Sequence, residues 1–365
     1  FIAYPFYRQV SLIQPVAIFG IIGMGMVIML INYVLALLVI RLLDSHWKPD
    51  EGPPVLSPKL VRRWTAAGAA VSVLWLAGSL VMWNMPLDTP SVRAAAIQPD
   101  ISPIVSFNQG KDVSGLHARM VEQTREAGAQ GAEFIVWPEA GFTWDPQADN
   151  TLDFPGLASE TGAFLALGYV VIGEEGFRNE ATVLTPEGEY LGVFGKDHPV
   201  VFGGETSLTR GTYPVYDTSL GKLATVICYD IDYTDTTRKM AAQGAQLIGV
   251  PSNDWSTIAD KHFSHAVFRA VENRVAVVKA DGGFDSAIID PRGQIMALAS
   301  YPQGGEATLV ADVAIGDGKG TILTRLGDWT GWLGLAGMIF FVFGGKFLEK
   351  RAKSENGGPE DKSPV

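Results

Sequence analysis

The chain has 365 residues, of which 47% are hydrophobic and 18% charged, with a net charge of -11 and a mean hydropathy of +0.16. The acidic balance excludes a nucleic-acid binder, which needs a basic face. The chain is also poorer in charge than an ordinary soluble protein, where charged residues run at about 25%.

The apolar excess is concentrated in three stretches. Val16 to Ile40 is almost unbroken apolar sequence, Ala66 to Trp83 is a second run, and Trp329 to Gly345 a third. A membrane-spanning helix needs about 20 apolar residues. The tryptophans of the last two runs suit the bilayer interface. Spans are therefore predicted at 16–40 and 66–83, within a membrane region covering 1–90, and at 329–345. A polar tail follows at 346–365. The loop between the first two spans carries Arg41, Lys48, Lys59, Arg62 and Arg63, and the tail carries Lys346, Lys350, Arg351 and Lys353. By the positive-inside rule both are cytoplasmic. The stretch from Leu87 to Asp328 is then extracytoplasmic.

Between residues 91 and 315 strand-length apolar runs alternate with helical patterns. Strands are predicted at Val92–Gln98 and Glu133–Trp137, with a helix at His117–Ala129 between them. Ala163–Ile172 reads as the end of a helix running into a strand. Ala181–Thr185 and Tyr190–Phe194 flank a Pro-Glu-Gly turn, a hairpin signal. Lys222–Cys228 is a buried strand, Thr236–Gln243 a helix and Gln246–Pro251 a strand. His262–Arg274 is helical and leads into strand Val275–Lys279. A hairpin over Ser286–Ile289 and Gln294–Leu298 and a strand at Ala307–Val310 complete the set. This alternation predicts an α/β layered domain with a mixed sheet.

Three residues with chemical potential lie just past predicted strand ends, where α/β sheets gather ligands and catalytic groups. They are Glu139 in WPEA (137–140), Lys196 in GKDH (195–198) and Cys228 in ICYD (227–230). Each alone has a plain reading, as loop acid, surface lysine or core filler. Together they form a set for acyl transfer. A thiol must become a thiolate to attack a carbonyl. A carboxylate can take its proton, and an ammonium can stabilise the oxyanion that develops. Cys228 is also the only cysteine, so no intramolecular disulfide can form. In an oxidising compartment a lone thiol is either inert in the core or kept for chemistry. His198, His262 and His265 show no partner acid at ligand spacing, so no metal site is expected. No glycine-rich stretch matches a phosphate loop, and no cofactor is implied.

These three segments, with GAQLIGVPSND (244–254), FRAVENR (268–274) and IIDPRG (288–293), resemble the nitrilase superfamily. The resemblance covers essentially the whole domain. It implies an α-β-β-α sandwich in which Glu139 is the base, Lys196 the oxyanion lysine and Cys228 the nucleophile. A nitrilase-like domain between membrane spans is similar to the apolipoprotein N-acyltransferase family. That likeness implies eight spans, five of them preceding Phe1 in a longer natural protein. HPVVFGGE (198–205) resembles a family loop ending in a second essential glutamate, which would be Glu205. Asp230 stands where the family usually carries Glu. Tyr229 and Trp255 are candidates to line the acyl site or to serve as core aromatics. The implied partners are a phospholipid acyl donor, an apolipoprotein acceptor and the lipid bilayer, in the bacterial inner membrane. The alternative is a membrane-anchored amidase or nitrilase that passes its thioester to water.

Overall fold

The computed structural model describes residues 1–47, 56–174, 176–203 and 205–344. Twelve strands form two six-stranded sheets among these residues. The strands are β1 (Ser91–Pro99), β2 (Phe134–Val136), β3 (Phe164–Gly173), β4 (Gly176–Leu184), β5 (Tyr190–Gly195), β6 (Val215–Thr218), β7 (Gly221–Thr225), β8 (Leu247–Ser252), β9 (Ala276–Asp281), β10 (Asp285–Ile289), β11 (Ile295–Ser300) and β12 (Glu306–Ala314). The first sheet runs β12-β1-β2-β3-β4-β5 and the second β11-β10-β9-β8-β7-β6. The centre of each is parallel, β1-β2-β3 in one and β7-β8-β9 in the other. Antiparallel hairpins flank both.

The sheets pack face to face through a core that includes Ala96, Phe134, Val136, Leu247, Val278 and Ile288. Strands in these middle positions are buried on both faces, which is why they read as continuous apolar runs. Helices α3 (Ser114–Ala129) and α4 (Phe154–Thr161) cover the outside of the first sheet with Met120, Phe154 and Leu157. Helices α5 (Thr234–Ala242) and α6 (Ala259–Asn273) cover the second with Met240, Phe263 and Val267. The result is the expected α-β-β-α sandwich. Each fully buried Leu, Ile, Val, Phe or Met contributes about 1.5–3 kcal/mol.

Two expectations shift. Strand β7 ends at Thr225, so Cys228 opens a tight 3-10 turn, Cys228–Asp232, instead of ending the strand. The run from Ala163 is strand from Phe164 onward, because Gly162 stops α4 in a left-handed cap (φ 66°). Periodicity also passes over short elements, among them the helix Pro103–Asn108 and strand β6.

Helices α1 (Val16–Trp47) and α2 (Pro58–Asn84) are long and apolar enough to cross a bilayer. Both outrun the predicted spans. Only 11% of the most apolar window of each is buried, unlike a core helix of a soluble protein. Gly20 (φ 67°) breaks the first turn of α1. The third predicted span is an apolar helix from Trp329 whose described part includes a π turn at Phe340–Gly344. Lys48 and residues 345–365, with the cationic tail, lie outside the described residues.

Candidate active site

Glu139, Lys196 and Cys228 meet in one cavity of about 450 Å³. Each arrives from a different strand end. Pro138 ends β2, and the Glu139 amide donates to the Ser252 carbonyl at the end of β8 (3.2 Å), which fixes the loop across the two sheets. Lys196 follows β5 and donates its amide to the Asn179 carbonyl of β4 (2.9 Å). Gly195 must be glycine, since a Cβ there would lie 1.6 Å from the Thr209 carbonyl oxygen. Cys228 sits at φ +43°, a strained conformation for a residue with a side chain. The turn aims its backbone and thiol at the cavity.

The Lys196 ammonium is the hub of one charged cluster. It donates to Glu139 Oε1 and to Glu205 Oε2, both at 2.8 Å. The Asn179 side-chain amide donates to the same Glu139 oxygen at 2.7 Å and to the other Glu205 oxygen, Oε1, at 2.6 Å. The Val200 amide completes Glu205 (2.8 Å). Two carboxylates thus share one cation in a site where Lys196 is 1% exposed. Burial works against the lysine's charge, but the Glu139 carboxylate and its other anionic neighbours outweigh it and hold the ammonium ionised. Burial, opposed by Lys196 and reinforced by Glu205, pushes the Glu139 carboxyl above its ordinary value. A carboxylate raised in this way is a better proton acceptor.

Burial and the negative charges of Glu139 and Asp254 push the Cys228 thiol well above its ordinary value, with Lys196 pulling the other way. The thiol is therefore protonated at rest and needs a base before it can attack. Its side-chain partner is Asp254, at 3.6 Å.

Asp230 is fully buried and ties the two key loops together. It accepts from the amides of Ile227 (3.1 Å) and His198 (2.7 Å), so the Cys228 turn and the segment after Lys196 share one anchor. Its role is internal and it does not line the cavity. Tyr229 and Trp255 do line it. Tyr229 stacks on His262, with ring centroids 6.0 Å apart, and Trp255 is 47% exposed at the rim. Phe202 and Val105, both exposed, extend that apolar rim.

The sequence reading missed two groups of residues. Asn179 lies mid-strand, and no local pattern marks it. The acid partners of the histidines are also present. His262 Nδ1 is 2.8 Å from Asp254 and its Nε2 3.4 Å from Asp232, while His265 pairs with Asp232. The absence of a partner acid at sequence spacing thus gives way to carboxylates brought in from β8 and from the Cys228 turn. Cys228, Asp254 and His262 lie close enough together to hold an ion, with donor atoms within 4.8 Å. Asp254 is already engaged by the Lys279 ammonium (2.9 Å), which opposes a cation there.

The carbon-nitrogen hydrolase family profile matches residues 93–322, more than half of the chain. The chain is 26% identical to an apolipoprotein N-acyltransferase of Geobacter metallireducens, over 92% of this chain and 67% of that protein. It is 27% identical to one from Synechocystis sp., over 72% of this chain and 55% of that protein. It is thus similar to these acyltransferases while spanning 55–67% of their lengths. A nitrilase of Pyrococcus abyssi is 25% identical over 48% of this chain and 75% of its own. Among solved structures, an amidase from Nesterenkonia sp. AN1 aligns with a TM-score of 0.48 at 22% identity, over 61% of this chain and 90% of that one. The profile match spans both sheets and all three strand-end residues, so the chain belongs to the carbon-nitrogen hydrolase family.

Proposed function

We propose that this protein transfers an acyl chain from a phospholipid, through a thioester on Cys228, to the N-terminal amine of a diacylglyceryl-cysteine apolipoprotein. The observation that carries the reading is a Glu-Lys-Cys cavity on a domain whose core includes residues of one span-length apolar helix, with Trp75 of a second packed against it. A hydrolase of small soluble amides has no use for such helices. The similarity to apolipoprotein N-acyltransferases supports the same substrates. On this reading the chain sits in the bacterial inner membrane as a multi-pass protein, with residues 91–315 on the extracytoplasmic side.

In the first step Glu139 takes the thiol proton and the sulfur attacks the ester carbonyl. Lys196 stabilises the oxyanion. The C–O bond breaks, the proton passes from Glu139 to the departing alkoxide, and a lysophospholipid leaves. In the second step the acceptor amine attacks the thioester. The amide bond forms, the C–S bond breaks, and the proton lost by nitrogen returns to sulfur through Glu139. Glu205 and Asn179 keep Lys196 and Glu139 in place throughout. Tyr229 and Trp255, with the apolar rim, would receive the acyl chain.

Intact-mass spectrometry of the purified protein after incubation with phospholipid vesicles tests this. The expected result is a gain of one fatty acyl group that is labile to hydroxylamine and absent from Cys228→Ala, and that moves to an added diacylglyceryl-cysteine peptide. Turnover of simple amides with no lipid adduct would instead establish the hydrolytic alternative, in which water takes the place of the acceptor amine. The likeness to the Pyrococcus nitrilase supports that second reading.

A further inference from the structure

Cys228 lies between two charged clusters, and the steps above use only one of them. The second begins at Asp254, just past β8. Asp254 Oδ1 faces the Cys228 sulfur at 3.6 Å and His262 Nδ1 at 2.8 Å. Its other oxygen meets the Lys279 ammonium of β9 at 2.9 Å. Lys279 also contacts Asp281 (3.0 Å), which accepts the Asp254 amide (3.1 Å). His262 continues the chain outward, with Nε2 3.4 Å from Asp232 at the cavity wall. Asp254, His262, Lys279 and Asp281 are all buried.

We propose that His262, acting through Asp254, is a positioning residue that sets the orientation and the ionisation of the Cys228 thiol. The proposal rests on the reading that Cys228 is the nucleophile. One carboxylate oxygen is shared by the imidazole and the thiol, so the ring fixes where the sulfur's proton points. In this resting arrangement the proton is aimed at Asp254, while Glu139 is occupied by Lys196 and Asn179. Charges of both signs surround the thiol. Glu139, Glu205 and Asp254 oppose a thiolate, whereas Lys196, Lys279 and protonated His262 favour it. His262 itself faces Asp254 and Asp232 across the cavity wall, the Tyr229 ring beside it, and His265 one turn along its own helix. Burial works against its charge, but the hydrogen bond to Asp254 and the two carboxylates raise its affinity for a proton. Asp254 stays ionised because Lys279 and His262 outweigh its burial.

Alkylation by iodoacetamide reads this directly, because the chain has a single cysteine and the reaction needs no lipid. The full chain in detergent is followed by intact mass from pH 6 to 10. A unit charge within 4.8 Å of the sulfur is worth about one unit of thiol ionisation in a half-screened site. His262→Asn keeps a donor near Nδ1 but removes the charge, and alkylation at pH 7 should slow about tenfold. Asp254→Asn removes a negative charge together with the partner that holds the proton on His262, so the two losses offset and the rate should stay within about threefold of the parent. Asp232→Asn leaves the thiol's direct neighbours untouched, and it should slow the reaction by weakening the proton on His262. It serves as the second variant should His262→Asn fold poorly by thermal unfolding. Rates at pH 7 that stay within twofold for both His262→Asn and Asp232→Asn, or that rise in either, would overturn the proposal. Normal alkylation without any lipid adduct would count against acyl transfer and leave this inference standing.

Discussion

Removing the Lys196 cation should destabilise the fold in a way that depends on pH. In Lys196→Met the Glu139 and Glu205 carboxylates lose their shared partner and keep Asn179 as the donor between them. Breaking a buried ion pair by deleting one member costs about 3–5 kcal/mol, because the remaining charge is left uncompensated. The variant has an escape at low pH, where the acids can take up protons. Glu139 already has a raised value from burial, and loss of Lys196 raises it further. A carboxyl whose folded value exceeds its unfolded value makes a contribution that is fully present below the unfolded value, near 4.5, and is lost as pH rises through the folded one. The penalty relative to the parent should therefore be small near pH 5 and reach about 3–5 kcal/mol by pH 8. Denaturant unfolding in detergent at the two pH values measures it. The lipid-derived mass adduct should fall at least a hundredfold in rate, in line with loss of an oxyanion donor. A penalty that is the same at pH 5 and pH 8, or that stays below about 1 kcal/mol at both, would refute the shared-cation account.

Other variants test neighbouring contacts. Asn179→Leu strips one donor from each of two acids and should cost about 2–4 kcal/mol at neutral pH by denaturant unfolding; an unchanged midpoint would show that water replaces the amide. Asp230→Asn weakens the anchor between the Cys228 turn and the His198 amide, at a cost of about 1.5–3 kcal/mol, and should slow adduct formation while leaving the cavity residues in place. His265 is pushed down to about 4 by burial, so its contribution is complete above its unfolded value near 6.5 and disappears as pH falls toward 4. His265→Phe retains a ring against Tyr4, at 3.8 Å in the parent, and should flatten that acid loss by about 3 kcal/mol in a pH series of unfolding midpoints.

The strand-end residues were legible because their chemistry is carried by short local motifs, and the sandwich because its strands are apolar on both faces. Lys196 and Glu205 are nine residues apart in one loop, so a local motif could join them. Asn179 and Asp254 could not be read as site residues. Asn179 sits in β4, where the register of β4 against β5 brings it next to the lysine. Asp254 lies inside a segment that carries the family resemblance, yet its meeting with His262 depends on how α6 packs over β8. The positive φ of Cys228 had no local signal, since glycine is the residue that usually marks it. Composition marked the centres of α1 and α2 but not their ends, where helix continues into charged sequence at Arg41 and Arg62.

The long apolar helices and the candidate cavity are joined by one rigid element. Helix α6 carries His262 in its first turn, beside Asp254, and Glu272 near its other end. Ten residues of helix separate them by about 15 Å. Glu272 is fully buried, and its Oε1 accepts the Ile21 amide (2.7 Å), a group left free by the break at Gly20. The third apolar helix, which starts at Trp329, closes on the same break. The Trp329 indole donates to the Ile18 carbonyl (2.8 Å), and the Thr330 hydroxyl to that of Phe19 (2.8 Å). The backbone groups that Gly20 strips from α1 are thus satisfied from the catalytic domain and from the last helix. A flexible tether would leave no such contacts. A rotation of α1 against the domain would have to break the Glu272 bond and leave a buried carboxylate without its amide, at about 1.5–3 kcal/mol for that contact alone. The cavity is therefore held at a fixed height and tilt relative to the apolar helices, which is what the proposed transfer between two membrane-embedded substrates would require.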